Sequence, residues 1–310
     1  MQRNNLKKSL LSTVCLFTFS ILFIQVSSTQ GQNINSFKTF ADWCDNKDAL
    51  SKEIRYTVEQ LLVEAKTSDC KLANEQLSNK TSTIYLNKKG ISSLLPLKSF
   101  PNLTSLILSE NQINDLSPLQ FLTNLDSLGL GDNQITDIST LRYLTKLKFL
   151  TLRNNKITNI GFLSTLTNLK SLELKDNKIS NITSLSSLIK LTELNLTNNQ
   201  IVDIKPLAKL TKLTSLGISD NRISDISPLR NMKDLEILSA KRNQITDVRP
   251  LQTLTKIYYL FLSDNKITDI MPLQSLKRLN AASFGRNPII NKVCPVAVAD
   301  PVKNLAICSF

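Results

Sequence analysis

Histidine is absent from all 310 residues. That absence removes Ser-His-Asp and Cys-His nucleophilic catalysis, histidine metal sites and histidine acid–base chemistry together. Glycine is scarce as well, at seven, and no glycine-rich phosphate loop is present. Aromatic residues are only 6% of the chain. The chain is therefore expected not to be an enzyme and to need no metal or organic cofactor. Ordinary periodicity is missing too. Residues 122–141 read LTNLDSLGLGDNQITDISTL, with apolar positions at steps of 3, 3, 2, 5, 3 and 3. A helix needs a 3-4 rhythm and a half-buried strand needs alternation, and this stretch has neither.

What is present is a longer period. Asn111, Asn133, Asn155, Asn177, Asn199, Asn221, Asn243, Asn265 and Asn287 recur at a constant step of 22. The apolar frame travels with them, as in Leu106 and Leu108, Leu128 and Leu130, and Leu150 and Leu152. The pattern L-x-x-L-x-L-x-x-N-x-I at an unbroken period is that of a leucine-rich repeat solenoid. Ile84 and Leu86 begin one earlier coil, with Lys89 in the asparagine position. Length supports the same class: 310 residues approach the limit of one globular core, which a solenoid avoids because each coil touches only its neighbours.

Each coil divides into three parts. A short strand, such as Ser127 to Leu130, points its leucines inward and its intervening residues onto a concave face. The asparagine turn follows, and a convex segment closes the coil with apolar residues three apart: Ile138, Leu141, Leu144 and Leu147. A step of three fits 3₁₀ turns, whose side chains at i and i+3 eclipse. Pro96, Pro118, Pro206, Pro228, Pro250 and Pro272 share one column, expected at the first position of such a turn. Asp115, Asp137, Asp203, Asp225, Asp247 and Asp269 stand three residues earlier, placed to accept from its free backbone N–H groups. The asparagine offers two donors and an acceptor on a short side chain. It is expected to bond its own turn and that of the next coil, so the column is structural and is not a row of ligands. On that basis Asn287, with no following repeat, is expected to matter less than Asn177. The fold class is α/β: a solenoid of about ten coils with a parallel sheet on its concave face.

The ends differ from the repeats. Residues 1–31 read as an export signal: Arg3, Lys7 and Lys8 precede an apolar stretch from Leu10 to Val26, with small residues at Ser27, Ser28 and Gly31 as cleavage points. An uncleaved anchor is the alternative, because the run approaches the length of a membrane span. Cys15 is not a lipid-attachment site on this reading, since Val14 precedes it. Residues 34–81 form an N-terminal cap, with a helix from Ser51 to Ala65 and a second, short one near Lys71 to Leu77. The solenoid covers 82–287 and a C-terminal cap 288–310. Cys44 and Cys70 precede the repeats and Cys294 and Cys308 follow them. Ten coils hold the ends about 45 Å apart, so only the two local pairings are possible. Export and paired cysteines agree on an oxidising compartment: periplasm, cell surface or medium.

The net charge of +13 raises a polyanion partner as an alternative. Lys156, Lys178, Arg222 and Lys266, however, share one repeat column, and export argues against nucleic acid. Asp132, Asp176, Asp220 and Asp264 precede alternate asparagines, two coils or about 10 Å apart, too far to share a metal. Sequons stand at Asn79, Asn102, Asn181 and Asn195.

The 22-residue unit, with stretches such as N-R-I-S-D-I-S-P-L from Asn221 to Leu229, resembles the internalin-type leucine-rich repeats of exported bacterial proteins. The resemblance covers residues 82 to 287 and implies a curved right-handed solenoid that binds proteins on its concave face. No immunoglobulin-like or wall-anchoring segment is recognised after the repeats, and the cap D-W-C-D-N-K differs from an internalin's. The repeats are also similar to those of intracellular regulatory subunits of a protein phosphatase, an alternative that the signal and the cysteines oppose. The expectation is an exported, monomeric adhesion or recognition module with a protein partner, no nucleic acid and no membrane insertion after cleavage. On the concave columns most residues are small or polar. Ile237, Tyr259 and Phe261 are the exception, bordered by Lys241, Arg242 and Arg286, with Phe149 and Arg153 as a lesser patch. Buried aromatics and Arg with a polar rim are the composition of interface hot spots. The alternative is that Tyr259 and Phe261 shield the irregular last coil, where Ala282 and Phe284 replace leucines.

Overall fold

The computed structural model describes residues 34–78, 83–294 and 308–310; the export signal expected over residues 1–31 lies outside them. Eleven short strands form one parallel sheet in sequence order. They are β1 (Ile84–Tyr85), β2 (Ser105–Ile107), β3 (Ser127–Gly129), β4 (Phe149–Thr151), β5 (Ser171–Glu173) and β6 (Glu193–Asn195). β7 (Ser215–Gly217), β8 (Ile237–Ser239), β9 (Tyr259–Phe261), β10 (Ala281–Ser283) and β11 (Cys308–Ser309) continue the sheet. Through β10 the register follows the repeat: Leu128 opposes Leu150 and Leu238 opposes Leu260. The middle residue of each three-residue strand, leucine except for Ala282 in β10, is buried and its flanking residues face outward.

The convex side is built of 3₁₀ turns such as Ser139–Tyr143 and Lys205–Lys209. The step of three is the hydrogen-bond step itself. Leu141 N–H donates to Ile138 O, Leu144 to Leu141 and Leu147 to Leu144, at 2.9–3.1 Å, and all four side chains are buried. The aspartates accept from the backbone N–H two residues on, Ser117 to Asp115 at 2.8 Å and Arg249 to Asp247 at 2.9 Å. Asn159 and Asn181 serve in the same way where aspartate is missing. Proline falls on the second residue of the turn, one later than expected. The position still suits it, because a 3₁₀ turn leaves its first N–H groups without an internal acceptor.

The asparagine ladder runs opposite to the direction expected. The Asn177 amide donates to Leu174 O and Lys175 O of its own turn and to Leu152 O of the preceding coil, at 3.0–3.2 Å. Its Oδ1 accepts from Ile157 N–H, also of the preceding coil, at 3.1 Å. Backbone N–H groups reach both ways, from Asn177 forward to Asn198 O and from Lys178 back to Ile157 O. Asn287 consequently keeps its side-chain partners: Leu262 O, Phe284 O and the Ile267 N–H. What distinguishes it is partial exposure, whereas Asn177 is buried.

Three α-helices close the N-terminal end. α2 (Lys52–Ala65) starts at Ser51, whose hydroxyl accepts from Ile54 N–H, and ends at Lys66 in the left-handed region. α3 spans Cys70–Ser78. α1 (Phe40–Asp45) was not expected. It rests on a capping box in which the Thr39 hydroxyl accepts from Asp42 N–H and the Asp42 carboxylate accepts from Thr39 N–H. Trp43, Phe40, Val58 and Leu61 are fully buried, and Phe40 meets Phe100 of the first coil at 5.6 Å. Thr57 of α2 donates to Ser93 O, so cap and first coil share one core.

At the other end the chain returns to the sheet. Cys308 pairs with Ala282, at a longer step than the repeat's, which makes β11 invisible to the period. Phe310 stacks on buried Phe284 at 6.0 Å. Cys44–Cys70 and Cys294–Cys308 are disulfides, with Cα atoms 5.5 and 5.7 Å apart.

Two outcomes are expected. Non-reducing peptide mapping recovers those two links, and reduction lowers stability by about 3–4 kcal/mol per closed loop; free thiols, or a link between the ends, would refute the pairing. Asn177→Ala costs roughly 1–3 kcal/mol in denaturant melts. Asn287→Ala costs less, because water replaces part of what is lost there; an equal or larger loss at Asn287 would refute that account.

Candidate functional site

The outward residues of the strands stack into two columns. One carries Ser215, Ile237 and Tyr259, and the other Gly217, Ser239 and Phe261. Tyr259 and Phe261 flank buried Leu260 on β9 and so point the same way. Their rings lie parallel, 7° apart, with centroids at 6.3 Å. Ile237, in register with Tyr259, is 37% exposed. Tyr258 was not singled out from the sequence. It is 39% exposed and meets Tyr259 edge-on at 4.8 Å. It sits one residue before the strand, in a column that the alternation rule does not assign to the sheet face.

Tyr259 and Phe261 stand in register with Ala281 and Ser283 of the last coil, which has cover of its own. Phe284 is covered by Phe310, and Ala282 lies in register with Cys308 of β11.

The basic border is largely committed. Arg242 pairs through two nitrogens with Asp220, and Arg286 pairs with Asp264 at 2.8 Å. The Lys241 ammonium stands 4.7 Å from the centre of the Phe261 ring, a cation–π contact. In the lesser patch Phe149 is exposed and Arg153 pairs with Asp132 at 2.9 Å. β4 lies four strands from β8, about 19 Å away, so the two patches are separate.

The aspartate–arginine pairs share a column with an unusual backbone. Glu110, Asp132, Asn154, Asp176, Asn198, Asp220, Arg242, Asp264 and Arg286 all have φ between 48° and 60°. This is the left-handed region that Asp and Asn tolerate best. From Asp132 onward an acid is followed one coil later by an amide or a guanidinium. Asn154 donates to Asp132 at 2.9 Å and Asn198 to Asp176 at 2.7 Å. Among the described residues no group of three His, Cys, Asp or Glu is placed to hold a metal.

Beside the aromatic patch a depression of ≈ 510 Å³ opens between β5 and β8. Gly217 is part of its lining, and a Cβ there would stand 2.6 Å from Asn195 Oδ1. Asn195, one of the sequon asparagines, donates to Glu173 at 3.3 Å and accepts from Thr197 N–H at 3.0 Å. Burial pushes the Glu173 carboxyl above its ordinary range, against the opposing pull of the Lys175 N–H and the Asn195 amide. A carboxyl raised in the folded state gives full stability below its unfolded pKa and loses it as pH rises through the folded pKa. Glu173→Gln is therefore expected to raise the melting midpoint at neutral pH, with the advantage fading in acid. A variant no more stable at neutral pH would refute this.

The family described as Leucine Rich repeats (2 copies) matches residues 101–143, 145–187 and 189–231. No curated protein matches the chain. Among solved structures, an internalin, InlF, from Listeria monocytogenes is similar at 34% identity over 76% of this chain and 70% of that one, with a TM-score of 0.73. Internalin C2 from the same organism is similar at 35% identity over 64% of this chain and 88% of its own, with a TM-score of 0.60. The functional domain of InlJ, also from Listeria monocytogenes, matches at 20% identity over 87% of this chain and 65% of that one, with a TM-score of 0.65, and shares the fold. The shared fold, the repeat and identities of 34% and 35% to two internalins lead to one conclusion: the chain belongs to the internalin family of leucine-rich repeat proteins.

Proposed function

We propose that the protein is an exported, non-catalytic recognition module that binds a protein partner on the concave face of its solenoid. The observation that carries the reading is the cluster formed by exposed Ile237, the half-buried, parallel Tyr259 and Phe261 rings of the sheet face, and exposed Tyr258 edge-on to Tyr259. Elsewhere that face is mostly small or polar. A contiguous apolar and aromatic patch rimmed by polar residues has the composition of an interface centre. Ser215, Ser239 and the cation–π-bound Lys241 supply the polar surround. Arg242 and Arg286, already paired with aspartates, serve as a rim, and Phe149 with Arg153 forms a second, weaker contact. The two disulfides support an oxidising compartment. Among the described residues no helix is long and apolar enough to cross a membrane.

A photo-crosslinking residue at Ser215 is expected to capture a partner that the same residue at convex Lys209 does not. The double variant Tyr259→Ala, Phe261→Ala is expected to lose that capture, since hot-spot truncations each cost about 2 kcal/mol or more of binding. Its melting curve stays close to that of the parent, because both rings project outward. Capture that survives the double substitution, or a variant that unfolds, would sink the assignment.

A further inference from the structure

The two sides of the aromatic patch carry different charge. Toward the C-terminal coils Arg242 and Arg286 are neutralised by Asp220 and Asp264. Toward the N-terminal coils the depression is walled by Glu173, Glu193 and Glu236. None of these three carboxylates has an ion-pair partner among the described residues. Glu193 accepts from the Ser171 hydroxyl at 2.9 Å. Glu173 accepts from Lys175 N–H at 3.1 Å and from the Asn195 amide at 3.3 Å. The ammonium of Lys175, which also lines the depression, is 3.6 Å from Asp176. Ile237 belongs to both features: it lines the depression and stands in register with Tyr259.

We propose that the partner presents a protein segment in which an arginine or lysine neighbours an apolar side chain. The cation enters the depression between Glu173, Glu193 and Glu236, and the apolar residue packs on Ile237, Tyr259 and Phe261. The inference rests on the concave-face reading above and adds the chemistry of the partner. Charge complementarity selects the occupant: unpaired carboxylates beside an apolar wall favour a cation and repel a phosphate or an acidic segment. Distance agrees. β6 and β9 are three strands apart, about 14 Å, which about four residues of extended chain cover.

The test uses an array of short synthetic peptides that pair Phe, Leu or Trp with Arg, Lys, Gln or Glu, probed with the purified chain. Two variants accompany it: Glu173→Gln with Glu193→Gln and Glu236→Gln, and Tyr259→Ala with Phe261→Ala. The Arg and Lys series are expected to bind the parent above the Gln and Glu series. The triple Gln variant is expected to weaken them about tenfold or more while staying folded, and added salt weakens them in the parent. Cationic peptides that bind no better than their Gln counterparts, give no signal, or are held equally by the triple variant would overturn the inference. If apolar peptides then bind parent and triple variant alike but not the aromatic double variant, the concave-face reading stands without the cation. If bound peptides are lost in neither variant, both readings fail.

Discussion

Backbone groups that the sheet cannot pair govern this molecule. Each strand from β2 to β10 spans only three residues of its coil, so most of the coil's N–H and C=O groups need partners elsewhere. The 3₁₀ turns satisfy one set and the aspartates another. The asparagines close the tightest corner by reaching back to the coil before. An unpaired buried group costs about 1–3 kcal/mol, while a whole domain is stable by about 5–15 kcal/mol. A register error repeated along the whole asparagine column would therefore exceed everything folding gains. That constraint holds every coil to one length and aligns the leucines. It also stacks the outward residues into straight columns, which makes a binding surface spread over many coils possible at all.

The ladder's direction has a structural consequence. The asparagine side chains bond backward and backbone N–H groups bond in both directions, so neighbouring coils are joined in both senses. The last asparagine retains its side-chain bonds, and the last coil lacks only the forward ones. β11 supplies part of that deficit: Phe284 N–H donates to Ser309 O, and the nearby disulfide ties the returning chain to the end of the solenoid. At the other end Thr57 and Phe40 do comparable work for the first coil.

The period made the solenoid, the 3₁₀ turns and the paired cysteines legible, because each is a local rule repeated or a distance bound. The elements that escaped break the rule or need geometry. β11 returns at a longer step than the repeat, and α1 is too short to show a face. The left-handed column looked like scattered carboxylates, although its alternation of Asp with Asn or Arg, in phase with the repeat, was there to be read: Asp132 with Asn154, and Asp220 with Arg242. That pairing commits Arg242 and Arg286 to Asp220 and Asp264. Glu173 and Glu193 were visible in the outward columns but passed for ordinary polar residues. That neither forms an ion pair appears only once neighbouring coils are in place.

Net charge is a poor guide to such a surface. The chain carries an excess of 13 positive charges, yet exposed charges are screened beyond about 8 Å at physiological salt, and successive strands stand about 4.8 Å apart. A docking group therefore responds to its own coil and the one or two on either side, not to the chain as a whole. Across β5 to β8 Lys175 pairs with Asp176 and Arg242 with Asp220. Glu173 and Glu193, which make no ion pair, face the sheet side. A chain that is basic overall thus carries an acidic depression where its repeats expose the least side chain, and the local balance decides what that depression can hold.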